Sequence, residues 1–141
     1  MTTLDDIRRI CSRLPGAEEG SDDRFGFGIE VKGKIKGFIW SWNERVHPKK
    51  ARVANDRVLA ILTPNLAIKE AILESDSDRF FTEQHYNGFP AVLVRLDNID
   101  PNEIEDLIIE AWKCKAPKEL LTQYSLAAPP ILRTSKKSTP R

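Results

Sequence analysis

Cysteine is scarce in this chain: Cys11 and Cys114 are the only two in 141 residues. Two thiols do not make a disulfide framework, so a reduced, cytoplasmic setting is the expectation. Histidine is equally scarce. His47 and His85 stand far apart from each other and from both cysteines, without the spacing of a metal site. No metal and no cofactor are expected. Long apolar runs are missing too: nothing approaches the ~18 residues of a membrane-spanning helix. Met1 to Arg9 lacks the apolar stretch of a secretory leader. Neither membrane insertion nor export is therefore expected. No phosphate-binding glycine loop is present. Gly26-Phe27-Gly28 lacks a correctly placed third glycine and lies in a strand pattern rather than at a strand-to-helix turn. An excess of one sign of charge is also absent. Twenty-two Lys and Arg face 21 Asp and Glu, for a net charge of +1, which at first sight argues against a polyanionic partner.

What the sequence does contain is clear periodicity. Leu4, Ile7, Ile10, Cys11 and Leu14 make one helical stripe. Thr3 is placed to cap that helix, and Pro15-Gly16 to stop it. Ala17 to Asp23 is acidic and reads as a loop. Phe25, Phe27, Ile29 and Val31 then alternate with polar residues and glycines. A turn at Lys32-Gly33-Lys34 leads into a second strand, Ile35 to Asn43, antiparallel to the first. Strict alternation puts Phe38, Trp40 and Trp42 on one face, packed under helices. Ile35, Gly37 and Ile39 fall on the other.

Glu44 to Asp56 reads as an exposed loop or wing, and Arg57 to Leu62 as a third strand. Thr63-Pro64 opens a helix whose inner face is Ile68, Ala71 and Ile72. A short strand is possible near Phe81 to Gln84, and Ala91 to Leu96 is a further strand. Asp100 as an Asx cap and Pro101 at the first position start a last helix with Ile104, Leu107, Ile108, Ala111 and Trp112 inward. Pro117 breaks or restarts it. The order α-β-β-β-α-β(β)-α predicts an α+β fold with a mainly antiparallel sheet. Residues 1–126 form one domain in this reading, and 127–141 a basic tail rich in Pro, Ser and Thr.

The near-zero net charge conceals a division. Residues 32–57 hold eight basic groups against two acidic ones, a balance of +6. The tail from Leu132 holds four basic groups and no acid, so the remainder carries −9. A basic hairpin and its following loop suit phosphate contact, with Lys34, Lys36, Arg45, His47, Lys49, Lys50 and Arg52 as candidate DNA-contacting residues. Trp40, Trp42 and His47 lie nearby for stacking. The competing reading is a solvated, aggregation-blunting edge. That second reading is preferred for Lys32 to Lys36 and the binding one for Arg45 to Arg52, though Lys34 and Lys36 stay in the candidate set.

No catalytic constellation is visible. Cys11 lies on an apolar stripe, and Cys114 sits between Lys113 and Lys115 at a helix end that disfavours a thiolate. Glu83, His85 and Tyr86 form a possible secondary polar site on one turn. An enzyme would have to rest on these three and Cys114, so no enzymatic activity is expected.

Several short segments occur together in a recognisable order. They are Leu14-Pro15-Gly16, Val31 to Lys34, Glu44 to Lys50, Arg57 to Ile61, Lys69 to Leu73, Phe80 to Leu96 and Glu110 to Lys118. The set resembles the MmcQ/YjbR family, in the branch with a Phe-Phe…His-Tyr-x-Gly-x-Pro-Ala-Val-Leu-Val-Arg-Leu core, from about residue 4 to Tyr124. The resemblance implies a two-layer α+β domain, similar to the double-wing domain of a phage transcription factor and more loosely to type III secretion chaperones. Members are commonly labelled DNA-binding on that analogy, and the family supplies no catalytic residues. Other branches carry a basic His-x-x-Lys-Lys-x-Trp stretch where this chain has Glu83 to Phe89, which moves the weight to Arg45 through Arg52. DNA is thus one expected partner of a monomer. A protein partner, for an adaptor of chaperone-like fold without a nucleic-acid role, is the alternative.

Overall fold

A computed structural model describes residues 1–20, 25–44 and 53–127, without the side chains of 43, 44, 53–56 and 127. The elements run α1 (Leu4–Cys11), β1 (Ala17–Glu19), β2 (Gly26–Val31), β3 (Lys34–Glu44), β4 (Val53–Leu62), α2 (Leu66–Ser75), β5 (Phe80–Phe81), β6 (Ala91–Arg95), α3 (Pro101–Lys115) and α4 (Lys118–Ala127). The strands form one antiparallel sheet in the order β1-β2-β3-β4-β6-β5. The α+β expectation therefore holds.

Local signals explain most boundaries. Thr3 caps α1 with its side chain on the Asp6 amide, and Asp6 accepts from the Thr3 amide in return. This reciprocal pair satisfies two otherwise orphaned donors. Lys32 and Gly33 both have positive φ, the tight reversal that a two-residue hairpin turn requires. At Gly28 an added Cβ would lie 2.8 Å from the Lys36 carbonyl oxygen, so that glycine serves close strand approach.

Four expectations are corrected. Ala17–Glu19, read as loop, is an edge strand on β2, with Ala17 opposite Ile29. Its acidic side chains are exposed, and besides the backbone ladder it is held by half-buried Ala17 against the core and by Glu19, which accepts from the Arg8 guanidinium of α1 at 3.2 Å. The chain read as a wing from Glu44 to Asp56 is strand at both ends, because β3 includes Glu44 and β4 starts at Val53. Asn65, not Thr63, caps α2 and accepts from the Ile68 amide at 2.9 Å. Asp100 holds the cap position of α3 by backbone alone. Its carboxylate meets the Met1 ammonium at 3.2 Å instead.

The helices share one face of the sheet. Ile7, Ile10 and Cys11 of α1 and Ile104, Ile108, Ala111 and Trp112 of α3 pack with Phe27, Ile29, Phe38, Ile39, Leu59, Ile61, Val92 and Val94. Ile72 and Leu73 of α2 and Leu120, Leu121 and Tyr124 of α4 join the margin of that cluster. Cys11 is fully buried in it. Burial pushes its thiol from 9.0 up to about 12. A group whose folded pKa is raised stabilises fully below its unfolded value and loses that contribution as pH climbs through the folded one. Stability should therefore fall by about 1.4 kcal/mol per pH unit above pH 9 from this thiol. Urea midpoints at pH 8 and 10.5 should drop further in the parent than in Cys11→Ala; equal drops would refute this.

Candidate functional site

Among the described residues no α-helix packs on the opposite face of the sheet, and a bulge builds that face. Phe27 pairs with Ile39 but Gly28 pairs with Gly37, so Phe38 is an extra residue in β3. An inserted residue shifts every later side chain to the other face. Phe38 and Ile39 are thus both fully buried on the helix side. Trp40 and Trp42, expected under helices with Phe38, point the other way. There they pack with Val58, Ala60, Leu93, Phe81 and Tyr86. Cross-strand neighbours make the row Trp40, Ala60, Leu93 and Phe81.

The segment after β5 folds along this row. The Trp40 indole donates to the Tyr86 hydroxyl at 3.0 Å. Phe89 sits edge-on to both rings, with centroids 6.3 Å and 6.2 Å away. Trp42 meets Phe81 edge-on at 5.4 Å, and the Arg95 guanidinium lies 4.0 Å above that same ring. The stack of cation on aromatic face fixes the guanidinium plane.

A buried lysine anchors the segment. Lys69 of α2 is only 2% exposed, and its ammonium donates to the carbonyls of Tyr86 and Phe89, the latter at 2.7 Å. Burial lowers its pKa from the ordinary lysine value. The expected inner face of α2 is accordingly corrected: Ile68 is 42% exposed and Ala71 is exposed, while Lys69, Ile72 and Leu73 turn inward. The signal is present in the spacing, since Lys69 lies three and four residues before Ile72 and Leu73. Lysine's usual preference for solvent hides it. Lys69→Met should strand two carbonyls and destabilise by about 1–3 kcal/mol. Amide hydrogen exchange at residues 84–90 should rise more than in α3. Unchanged exchange there would contradict the anchoring role.

Of the candidate DNA-contacting residues, Lys34 and Lys36 are among the described ones. Lys34 and Lys36 are exposed and lie opposite Val31 and Ile29, at the hairpin end of β3. Neither makes an ion pair among the described residues. Arg45, His47, Lys49, Lys50 and Arg52 lie outside the described residues, as do Asp22, Asp23 and the tail from residue 128. Their flanking positions, Glu44 and Val53, are ladder partners at the far end of β3. Eleven residues of strand separate the two ends by about 30 Å. Arg57, counted among the eight basic groups, is paired with Asp97 at 2.5 Å.

The secondary polar residues are adjacent but differently engaged. Glu83 precedes a short 3-10 turn at Gln84–Tyr86, His85 is exposed on it, and the Tyr86 hydroxyl accepts from Trp40. No group of three metal-ligating side chains occurs among the described residues. Cys114 is exposed, and its thiol donates to the Glu110 carbonyl at 3.2 Å. Burial and Glu110 both push its pKa up, against nucleophilic use. No helix among the described residues is long and apolar enough to cross a membrane.

No family model matches the sequence. The chain is 29% identical over 124 residues to uncharacterized protein Rv2570 of Mycobacterium tuberculosis. It is equally similar to uncharacterized protein Mb2600 of Mycobacterium bovis, with 88% of this chain and 96% of the relative covered in each case. Among solved structures it superposes on Deinococcus radiodurans protein DR2400, a DUF419 domain. That match has a TM-score of 0.64 over 88% of both chains at 17% identity, a likeness of fold.

Proposed function

We propose that this protein is a non-catalytic DNA-binding domain of MmcQ/YjbR type that grips the phosphate backbone through the basic segment between β3 and β4. The observation that carries the reading is the charge distribution. Residues 32–57 hold +6 in a chain whose total is +1. Arg45, Lys49, Lys50 and Arg52 supply most of that balance within eight residues. Lys34 and Lys36, some 30 Å along β3, are secondary contacts on duplexes of at least one helical turn. Likeness of fold to a DUF419 domain accords with the family resemblance. Contacts to phosphate position a protein without reading bases, so binding is sequence-independent.

Fluorescence polarisation tests this directly. Saturable binding to unrelated duplex or single-stranded DNA at ~50 mM salt is expected, and its absence would remove the reading. One observation favours the alternative of a protein-interaction domain. Trp40, Trp42 and Phe81 on the helix-free face are only half-buried, and Phe89 is 42% exposed. Aromatic surface of this kind is enriched at protein interfaces.

A further inference from the structure

A cleft of about 320 Å³ opens between α2 and α3 on the helix side of the sheet. Its apolar lining is Ile72, Phe80, Ile99 and Leu107. Phe80 and Ile99 are buried members of the core, and Ile72 and Leu107 are half-buried beside it. Ser75, Arg79, Glu103 and Asp106 supply the polar lining. Ile72 and Ser75 lie one helical turn apart on α2, and Glu103, Asp106 and Leu107 share a face of α3 by the same spacing. The volume is at the lower end of small-ligand sites. At about 30 Å³ for each water-sized group it takes about ten of them.

The charge of this lining is negative. The Arg79 guanidinium lies 5.6 Å from the Phe80 ring centre and is paired with both Asp76 and Glu103, so two carboxylates more than balance that one cation. Asp106 makes no ion pair among the described residues. The Ser75 hydroxyl donates to the Ile72 carbonyl at 3.0 Å, which leaves its oxygen to accept. An apolar wall beside an unpaired carboxylate and a hydroxyl acceptor complements an ammonium group on a hydrocarbon stem. We propose that the α2–α3 cleft binds a small organic amine. Its hydrocarbon part rests on Phe80, Ile99, Ile72 and Leu107, and its ammonium donates to Asp106 and Ser75. A carboxylate ligand of the same size would meet Glu103 and Asp106 as like charges. The site uses none of Arg45 to Arg52 and stands or falls independently of DNA binding.

Isoleucine methyl NMR signals of the labelled full chain provide the test. Those of Ile72 and Ile99 are assigned by their loss in Ile72→Val and Ile99→Val. Ile35, exposed beside the β2–β3 turn, is the reference outside the cleft. The protein is titrated separately with hexylammonium chloride, 1-hexanol and sodium hexanoate, ionic strength being held constant with sodium chloride. The Ile72 and Ile99 signals are expected to move saturably with hexylammonium, with a Kd below about 10 mM, while the Ile35 signal moves far less. Hexanoate should bind at least about tenfold more weakly, because like charges meet. Asp106→Asn, a change at an exposed position of α3, should weaken hexylammonium about fivefold, the order of an exposed ion pair, and leave hexanol unchanged. Stationary Ile72 and Ile99 signals, equal affinity for hexanoate and hexylammonium, or an undiminished hexylammonium response in Asp106→Asn would overturn the proposal. Should Asp106→Asn scatter every isoleucine signal by unfolding, Ser75→Ala decides the outcome, with about a threefold loss of hexylammonium affinity expected and no loss overturning the proposal.

Discussion

Reversing Lys49 and Lys50 to Glu is expected to lower DNA affinity about 100-fold at ~50 mM salt. Each lysine that neutralises a phosphate releases about 0.9 of a counterion, worth roughly tenfold in affinity at that salt concentration. Two lost contacts therefore give about two decades, before any repulsion from the new carboxylates. The same reversal at Lys34 and Lys36 should cost less, about tenfold with one of the two on a phosphate, and only on duplexes longer than about one turn. The hairpin tip and the β3–β4 junction are at opposite ends of an 11-residue strand, and one turn of B-DNA spans about 34 Å. Polarisation titrations with duplexes of 8 and 24 base pairs separate the two effects. Equal losses from both double variants on the short duplex would contradict the assigned geometry.

Trp112→Ala should be the most damaging single substitution in the core, at about 4–5 kcal/mol. Trp112 is fully buried, its indole donates to the Pro15 carbonyl at 2.9 Å, and its ring lies 5.2 Å from Tyr124. Truncating a buried Trp removes about 3–5 kcal/mol, and the Pro15 carbonyl loses its donor as well. The residue ties α3 both to the turn after α1 and to α4. For a chain of this size the loss corresponds to about 14–17 °C in Tm. Calorimetry on the parent and on Trp112→Phe, which keeps the ring packing and should lose about half as much, checks it. A shift under about 3 °C for the alanine variant would show that this contact does not hold the helical layer.

The sequence periodicity was sufficient for the layers and insufficient for the site. The α1 stripe, the cap at Thr3, the strand from Ala91 and the α3 stripe were legible because each expresses one local rule. The face of Trp40 and Trp42 was not. A period of two assumes one residue per step, and the extra residue at Phe38 breaks that assumption without any mark in composition. Ala17–Glu19 was hidden by its acidic side chains, since an edge strand needs only its backbone to pair. Lys69 was hidden by its charge, although its spacing to Ile72 and Leu73 places it inward. The stack of Trp42 and Arg95 on the Phe81 ring joins residues up to 53 positions apart, and only the strand pairing brings them together. The charge division was readable as a count, but its separation along β3 was not.

The salt dependence of DNA binding tests the central claim most directly. With Arg45, Lys49, Lys50 and Arg52 on phosphates, the logarithm of affinity should fall against the logarithm of salt concentration with a slope of about −3 to −4 on a short duplex. That slope should be halved by reversal of Lys49 and Lys50. A slope near zero, or one unchanged by the reversal, would contradict phosphate contact by the β3–β4 segment.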